Sequence, residues 1–245
     1  MISVTGKWAL ITGASRGVGK ELAFFMAARG CHLILHSRKT EHTRSLEQKL
    51  REKFCIQTAS VEAELSDHHS VAAMLESVDR LNVLVEIVFN NAGVQVGWRE
   101  PYTETPFEDF PVSFAVNFYA PAFICYHFLP KMVKNNFGRI INTTSGIKDQ
   151  PEQAAYSASK AALDKFTLDI SVKLQSTNVL MNLTDPGWCR TDLGGPQAPN
   201  PVESSLPGVA VGAFIDDGKS GRLLHGQDFS GLSLEEAVEK VHNSC

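Results

Sequence analysis

Short apolar runs alternate with amphipathic stretches along most of this chain. Trp8-Ala9-Leu10-Ile11-Thr12 and His32-Leu33-Ile34-Leu35-His36 are nearly continuous apolar segments of strand length. Between them, Lys20 to Arg29 places Leu22, Phe25 and Met26 on one helical face and stops at Gly30. The alternation then repeats. Ser45 to Phe54 predicts a helix with Leu46, Leu50 and Phe54 on one face and Glu47 and Arg51 paired one turn apart. A strand follows near Gln57 to Ala63, then a helix to Arg80 that Ser66 is placed to cap. Val85 to Phe89 reads as a strand despite Glu86. Next come a long helix within Phe110 to Val133, a strand at Arg139 to Thr143, a long helix from Tyr156 to Gln175 and a strand at Val179 to Leu183. From Gly194 to Gly212 four prolines break any period, which predicts a loop with at most a short helix. Leu223 to His225 can form a last strand, and Leu234 to Val241 a terminal helix capped by Ser233. This order predicts an α/β fold of three layers, a doubly wound parallel sheet (Rossmann fold) with helices on both faces. Its ligands belong at the carboxyl ends of the strands.

The 245 residues suit one such domain, spanning 1–245, with 192–212 as a substrate lid within it. A 43% hydrophobic and 20% charged composition is that of an ordinary globular protein. A net charge of −4 without basic patches gives no reason to expect nucleic acid or an anionic membrane as partner. Five cysteines, Cys31, Cys55, Cys125, Cys189 and Cys245, are odd in number and widely spaced. They predict free thiols and a reducing, cytoplasmic setting, with neither a disulfide framework nor a metal site. Lys7 and Trp8 interrupt the N-terminal segment, which does not read as a signal peptide. No apolar run approaches the ~20 residues of a membrane-spanning helix.

Chemistry first appears in Thr12-Gly13-Ala14-Ser15-Arg16-Gly17-Val18-Gly19, between the first strand and the first helix. Glycines there allow a tight turn and close approach of backbone to a phosphate, which the open N–H groups of the helix N-terminus attract. After the second strand comes His36-Ser37-Arg38-Lys39, with no Asp or Glu to take a ribose 2′-hydroxyl. Arg38 and Arg16 instead offer guanidinium groups to a 2′-phosphate, so NADP(H) is expected over NAD(H).

Six motifs stand in register on the predicted strand ends: TGASRGVG (12–19), NNAG (90–93), Asn117, Ser145, YSASK (156–160) and DPGWCRT (185–191). Jointly, over about residues 5 to 193, they resemble the short-chain dehydrogenases/reductases. The resemblance implies that Gly13, Ser15, Arg16, Gly17, Val18 and Gly19 line the pyrophosphate and adenosine side. Ser37 and Arg38 would read the 2′ position. Asn91, Ala92 and Gly93 would lie against the adenosine ribose. Glu64 and Leu65 stand where the family has an Asp-Leu pair near the adenine, a departure at Glu64. Pro186, Gly187 and Thr191 resemble the loop over the nicotinamide. Asn117, Ser145, Tyr156 and Lys160 match the catalytic positions, with Lys160 also on the nicotinamide ribose and Asn117 holding a relay water. Ser145 precedes Tyr156 by fewer residues than in many members, which leaves Thr143 or Thr144 as alternative hydroxyls.

Spacing supports that chemistry independently. Reduction of a carbonyl by hydride leaves an alkoxide that needs a positioned proton donor. Tyr156 and Lys160 share a helical face, where a cation lowers a phenol's pKa and makes its proton exchangeable. Ser157 and Lys160 also form S-x-x-K, but neither the S-D-N and K-T-G companions nor a G-x-S-x-G elbow occurs, so a serine hydrolase is disfavoured. The expected function is NADP(H)-dependent interconversion of a small carbonyl compound and its alcohol. A 3-oxoacyl-thioester reductase and a non-catalytic NADPH-binding sensor are the alternatives. Val94, Trp98, Ile147 and Trp188 suggest an apolar or aromatic substrate. The resemblance also implies a homodimer or homotetramer built on the two long helices, with Phe118, Phe123, Tyr126, Ala161, Leu168 and Val172 as contributors.

Overall fold

Most of the central strands bury both of their faces, which is why their apolar runs are continuous instead of alternating. The structure, a computed structural model, describes residues 1–244; Cys245 lies outside the described residues. Seven strands form one parallel sheet in the order β3-β2-β1-β4-β5-β6-β7. They are β1 (Trp8–Ile11), β2 (His32–Ser37), β3 (Thr58–Glu62), β4 (Val85–Asn90), β5 (Gly138–Thr143), β6 (Val179–Asp185) and β7 (Leu223–His225). The helices are α1 (Gly17–Ala27), α2 (Glu41–Phe54), α3 (His68–Arg80), α4 (Asp109–Phe114), α5 (Ala120–Lys134), α6 (Ala154–Leu174), α7 (Gly208–Val211) and α8 (Leu234–Asn243).

Two cores flank the sheet. Ala9, Ile11, Leu33, Leu35, Ile87 and Phe89 face a layer that includes α1, α2 and α8. Leu10, Ile34, Val88 and Ile140 face α3, α5 and α6. The sheet order reverses between β1 and β4, and the crevice above their carboxyl ends is where such folds bind ligands.

Several boundaries differ from the sequence reading. α1 begins at Gly17 and α2 at Glu41, because their first turns carry no apolar period. Asp67, not Ser66, caps α3: its carboxylate accepts from the His69 N–H at 3.0 Å, while Ser66 donates to Glu64. Glu86 is tolerated in β4 because Lys7 meets it at 2.6 Å. Ser233 does cap α8, in a reciprocal capping box with Glu236. The long helix is three segments: α4, a π-helical turn at Ala115–Tyr119, and α5. Against the expectation of no membrane-length run, Asp109–Lys134 is long and apolar enough to cross a membrane, with mean hydropathy 1.3. In this fold Ile124, Phe128 and Met132 from that stretch are buried on the sheet.

Candidate active site

The turn after β1 is fixed by the groups below it. Gly13 has φ +66°, and a side chain there would stand 3.0 Å from the Ala92 Cα. A side chain on Gly19 would collide with the Gly13 carbonyl and the Asn91 amide. The Thr12 hydroxyl accepts from the N–H groups of both Asn91 and Ala92 at 3.0 Å, and Asn91 Nδ2 donates to the Thr12 carbonyl at 2.9 Å. Asn91 and Ala92 are therefore braces of the turn. The N-terminus of α1 carries no side-chain cap, so its first N–H groups remain open to an anion. The bare turn and this open terminus fit a pyrophosphate.

A residue that the sequence reading passed over supports this turn. His36 is buried, accepts the Gly13 N–H at Nδ1 (3.2 Å) and places Nε2 3.2 Å from the Ala63 carbonyl. Nε2 must then carry the proton, and burial lowers the ring's pKa to about 4. The signal was only its place at the end of a strand. Ser37 is buried, and its hydroxyl donates to the Lys39 carbonyl at 2.7 Å. Arg38 is exposed and makes no ion pair among the described residues, whereas Arg16 pairs with Asp192 of the lid at 2.6 Å. Glu64 accepts from the main-chain N–H and the hydroxyl of Ser66, and the Leu65 side chain is buried in the core, which leaves its main chain as the part that could meet a ligand. Ser15 and Val18 flank the turn, half-buried.

Asn117 lies in the π-helical turn, fully buried. Its side chain accepts from the Val94 N–H (2.9 Å), donates to the Val94 carbonyl (2.8 Å) and donates to the Ser159 hydroxyl (3.0 Å). The side chain is thus spent on joining the loop after β4 to α6. Its main-chain carbonyl lacks the usual α-helical partner, since Pro121, the residue four later, has no N–H. Ser159, part of the disfavoured serine reading's helix, is this packed contact. Gly93 sits beside both groups: a side chain there would meet Asn117 Oδ1 at 3.4 Å and Lys160 Nζ at 3.5 Å.

Tyr156 and Lys160 occupy the first two turns of α6, which starts at Ala154. Lys160 is 4% exposed and donates to the Thr143 carbonyl at 2.7 Å. Burial pulls its ammonium down to about 8, while Asp164 and Asp185 hold charge on it. Tyr156 is 8% exposed. Burial raises its pKa above the ordinary phenol value, the facing Ser145 hydroxyl works against this, and Asp185 adds to the rise. This reverses the expected direction: the ammonium is turned to Thr143, and desolvation of the phenolate dominates. Ser145 and Tyr156 face each other through their hydroxyls; Ser145 Oγ accepts the Ile147 N–H at 3.2 Å, leaving its own O–H to donate. Among the three hydroxyls left open by the short loop, Ser145 is the one beside Tyr156. Thr143 serves Lys160 through its carbonyl, and Thr144 is buried facing Asp164.

The loops expected around a substrate are tied together. The Arg99 N–H donates to the Glu152 carbonyl (3.2 Å), and Gln153 Nε2 to the Val96 carbonyl (3.2 Å). Asp185, whose role the sequence reading missed, accepts from the Gly146 N–H (3.0 Å) and the Gly187 N–H (2.9 Å). Pro186 accepts from Gln227 at 2.8 Å. A side chain at Gly17 would meet Thr191 at 3.2 Å, so the lid base reaches the glycine turn. Trp98 is exposed and Ile147 half-buried, but the Trp188 N–H is spent on the Gly194 carbonyl at 2.7 Å.

The reversal of the sheet beside an open helix terminus defines a dinucleotide-binding α/β protein. A sequence profile described as short chain dehydrogenase matches residues 7–201, and the chain belongs to that family. It is 29% identical over 216 residues to a 3-oxoacyl-[acyl-carrier-protein] reductase of Rickettsia conorii, covering 87% of this chain and 86% of that protein. It is 30% identical over 197 residues to a short-chain type dehydrogenase/reductase of Picea abies, covering 77% and 72%. The solved 3-oxoacyl (acyl-carrier-protein) reductase of Agrobacterium tumefaciens with NADP bound superposes with TM-score 0.73 at 26% identity, covering 94% of this chain and 86% of that one.

Proposed function

We propose that this protein is an NADP(H)-dependent oxidoreductase acting on a small carbonyl compound and its alcohol, with Tyr156 as proton donor and acceptor. The observation that carries it is the convergence of Ser145, Tyr156 and Lys160 with Gly93 and Asn117 over the strand ends beside the glycine turn. A bound nicotinamide would supply or take the hydride. The protein's part is proton handling. Tyr156, protonated at neutral pH, gives its proton to the forming alkoxide, which Ser145 orients by donation. Lys160 follows Tyr156 on the same face and returns a proton to its phenolate, drawn from a water held at the Asn117 carbonyl; oxidation of the alcohol runs the same path in reverse.

NADP(H) is favoured over NAD(H) by the free guanidinium of Arg38 and by the lack of a free carboxylate at the end of β2. Among solved relatives, the Agrobacterium reductase holds NADP. Purified protein should oxidise NADPH faster than NADH on a panel of ketones and quinones. Tyr156→Phe should abolish turnover while Ser157→Ala keeps it; turnover retained in Tyr156→Phe overturns the role of Tyr156, and no turnover with any carbonyl leaves the non-catalytic sensor reading. The relatedness to acyl-carrier reductases favours one second reading, a 3-oxoacyl-thioester reductase. A kcat/KM for a 3-oxoacyl thioester above that for simple ketones would select it.

Exposed Phe123, Tyr126, Leu168 and Val172 on α5 and α6 support a homodimer or homotetramer. Four free cysteines among the described residues support a reducing, cytoplasmic setting.

A further inference from the structure

Asp185 ends β6 and lies opposite His225 of β7. Its carboxylate reaches three directions at once. Oδ2 accepts the N–H of Gly146, the residue after Ser145, at 3.0 Å. Oδ1 accepts the N–H of Gly187 at 2.9 Å, turning the chain into the lid. His225 Nδ1 stands 3.6 Å from Oδ2. The side chain is largely shielded, at 14% exposure. A carboxylate suits this place because both neighbours are donors, and only an ionised acid offers two strong acceptors without a donor of its own. An asparagine there would turn an NH2 group toward one of the two N–H groups.

We propose that Asp185 is a positioning residue: it fastens the Ser145 loop to the Pro186–Gly187 loop and fixes a negative charge beside Tyr156. The charge half of this rests on the function proposed above; the fastening half does not. The groups that act on the phenol are Ser145, just past the end of β5, and Asp185 on β6; Lys160 Nζ stands 5.9 Å from the ring centroid, Asp164 acts on Lys160, and His225 of β7 lies behind Asp185. Cys189 and Arg190 lie on the lid side of Asp185. Of these, Asp185 is the charge that acts on Tyr156 in favour of the protonated phenol. Its consequence is that Tyr156 keeps its proton, and carbonyl reduction its acid, to higher pH.

The test compares kcat/KM for NADPH-dependent reduction against pH in the wild type, Asp185→Asn and Asp185→Glu. Asp185→Asn should move the basic limb to lower pH, as the loss of a nearby negative charge does. It should also lower kcat at the optimum roughly tenfold through misplacement of Ser145. Asp185→Glu should keep the basic limb of the wild type while losing part of kcat. An unmoved limb in a folded, Tyr156-dependent Asp185→Asn protein overturns the charge. The fastening is read in the wild type without turnover. The amide resonances of Gly146 and Gly187 should move together on acidification with one midpoint, and independent or flat titrations overturn it. Turnover that survives Tyr156→Phe sinks the proposed function and the charge half with it, while the amide titration still decides the fastening.

Discussion

Burial holds two titratable side chains, His36 at the end of β2 and Lys160 on α6, below their ordinary pKa values. His36 must stay neutral, because Nδ1 accepts from Gly13 and Nε2 donates to Ala63. Its folded pKa of about 4 lies below its ordinary 6.5. Its stabilising effect is therefore complete above pH 6.5 and is lost as pH falls toward 4, where the unfolded chain takes up a proton that the folded one refuses. Denaturant unfolding should show a loss of up to roughly 3 kcal/mol across that window. His36→Gln should flatten the slope; an unchanged slope would show that the ring titrates freely. Lys160 is lowered in the same way, but it carries its charge at neutral pH. Its ammonium is buried with no carboxylate in hydrogen-bonding contact, and its folded pKa of about 8 lies below the ordinary 10.5. The charge thus costs stability below pH 8, and that cost is relieved as pH rises from 8 to 10.5. Lys160→Met should raise the unfolding free energy at pH 7 by about 1–3 kcal/mol, net of the lost bond to Thr143, while abolishing turnover. Calorimetry beside an NADPH assay checks both; a destabilised variant would refute the assigned cost.

At the scale of elements, caps decide boundaries that periodicity leaves loose. Asp67→Ala should cost about 1 kcal/mol, since it strips the acceptor from the first turn of α3. Ser66→Ala should cost less, because its hydroxyl serves only the exposed Glu64. Neither should alter kcat, and urea midpoints of the two variants give the comparison directly. The contrast marks where legibility ended. Strands and helix faces were readable because burial of both sheet faces forces continuous apolar runs, and all seven strands were anticipated. Tyr156, Lys160 and the glycine turn were legible because residue type and spacing single them out, whereas Asn117 was singled out by the family resemblance alone. The choice between Ser66 and Asp67 was not, since both are good caps and only local backbone geometry separates them. His36 and Asp185 were unreadable for a different reason. Their partners, Ala63 for one and Gly146 for the other, come from other strands' ends, 27 and 39 residues away. The π-helical turn had one clue, Pro121, but nothing in the periodicity marks where a helix widens.

The whole molecule places its two longest helical stretches against one face of the sheet and leaves their outer sides apolar. Tyr119, Phe123 and Tyr126 lie on the α5 side, and Leu168 and Val172 on α6, with Tyr126 and Val172 each 58% exposed. Phe118 is half-buried and packs edge-on against Phe166 at 6.1 Å, so it links the two helices within the subunit more than it faces outward. Apolar side chains gathered on neighbouring helices mark a surface that association would cover. A stable homodimer buries on the order of 800 Å² per partner. Two helices of this length offer a face long enough for it, and a two-fold arrangement makes the same patch serve both copies. α6 also carries Tyr156 and Lys160 in its first turns, so a partner packed along its outer side would stiffen the element that holds them. Light scattering of the wild type at micromolar concentration should give two or four times the subunit mass. Tyr126→Glu with Val172→Glu places like charges across the two-fold contact and should return the monomer with an unchanged circular dichroism spectrum. In that monomer, turnover should fall more than NADPH affinity, because the glycine turn and α1 lie on the opposite side of the sheet. A wild type that elutes as a monomer, or a double variant that keeps its assembly, would remove these helices from the interface.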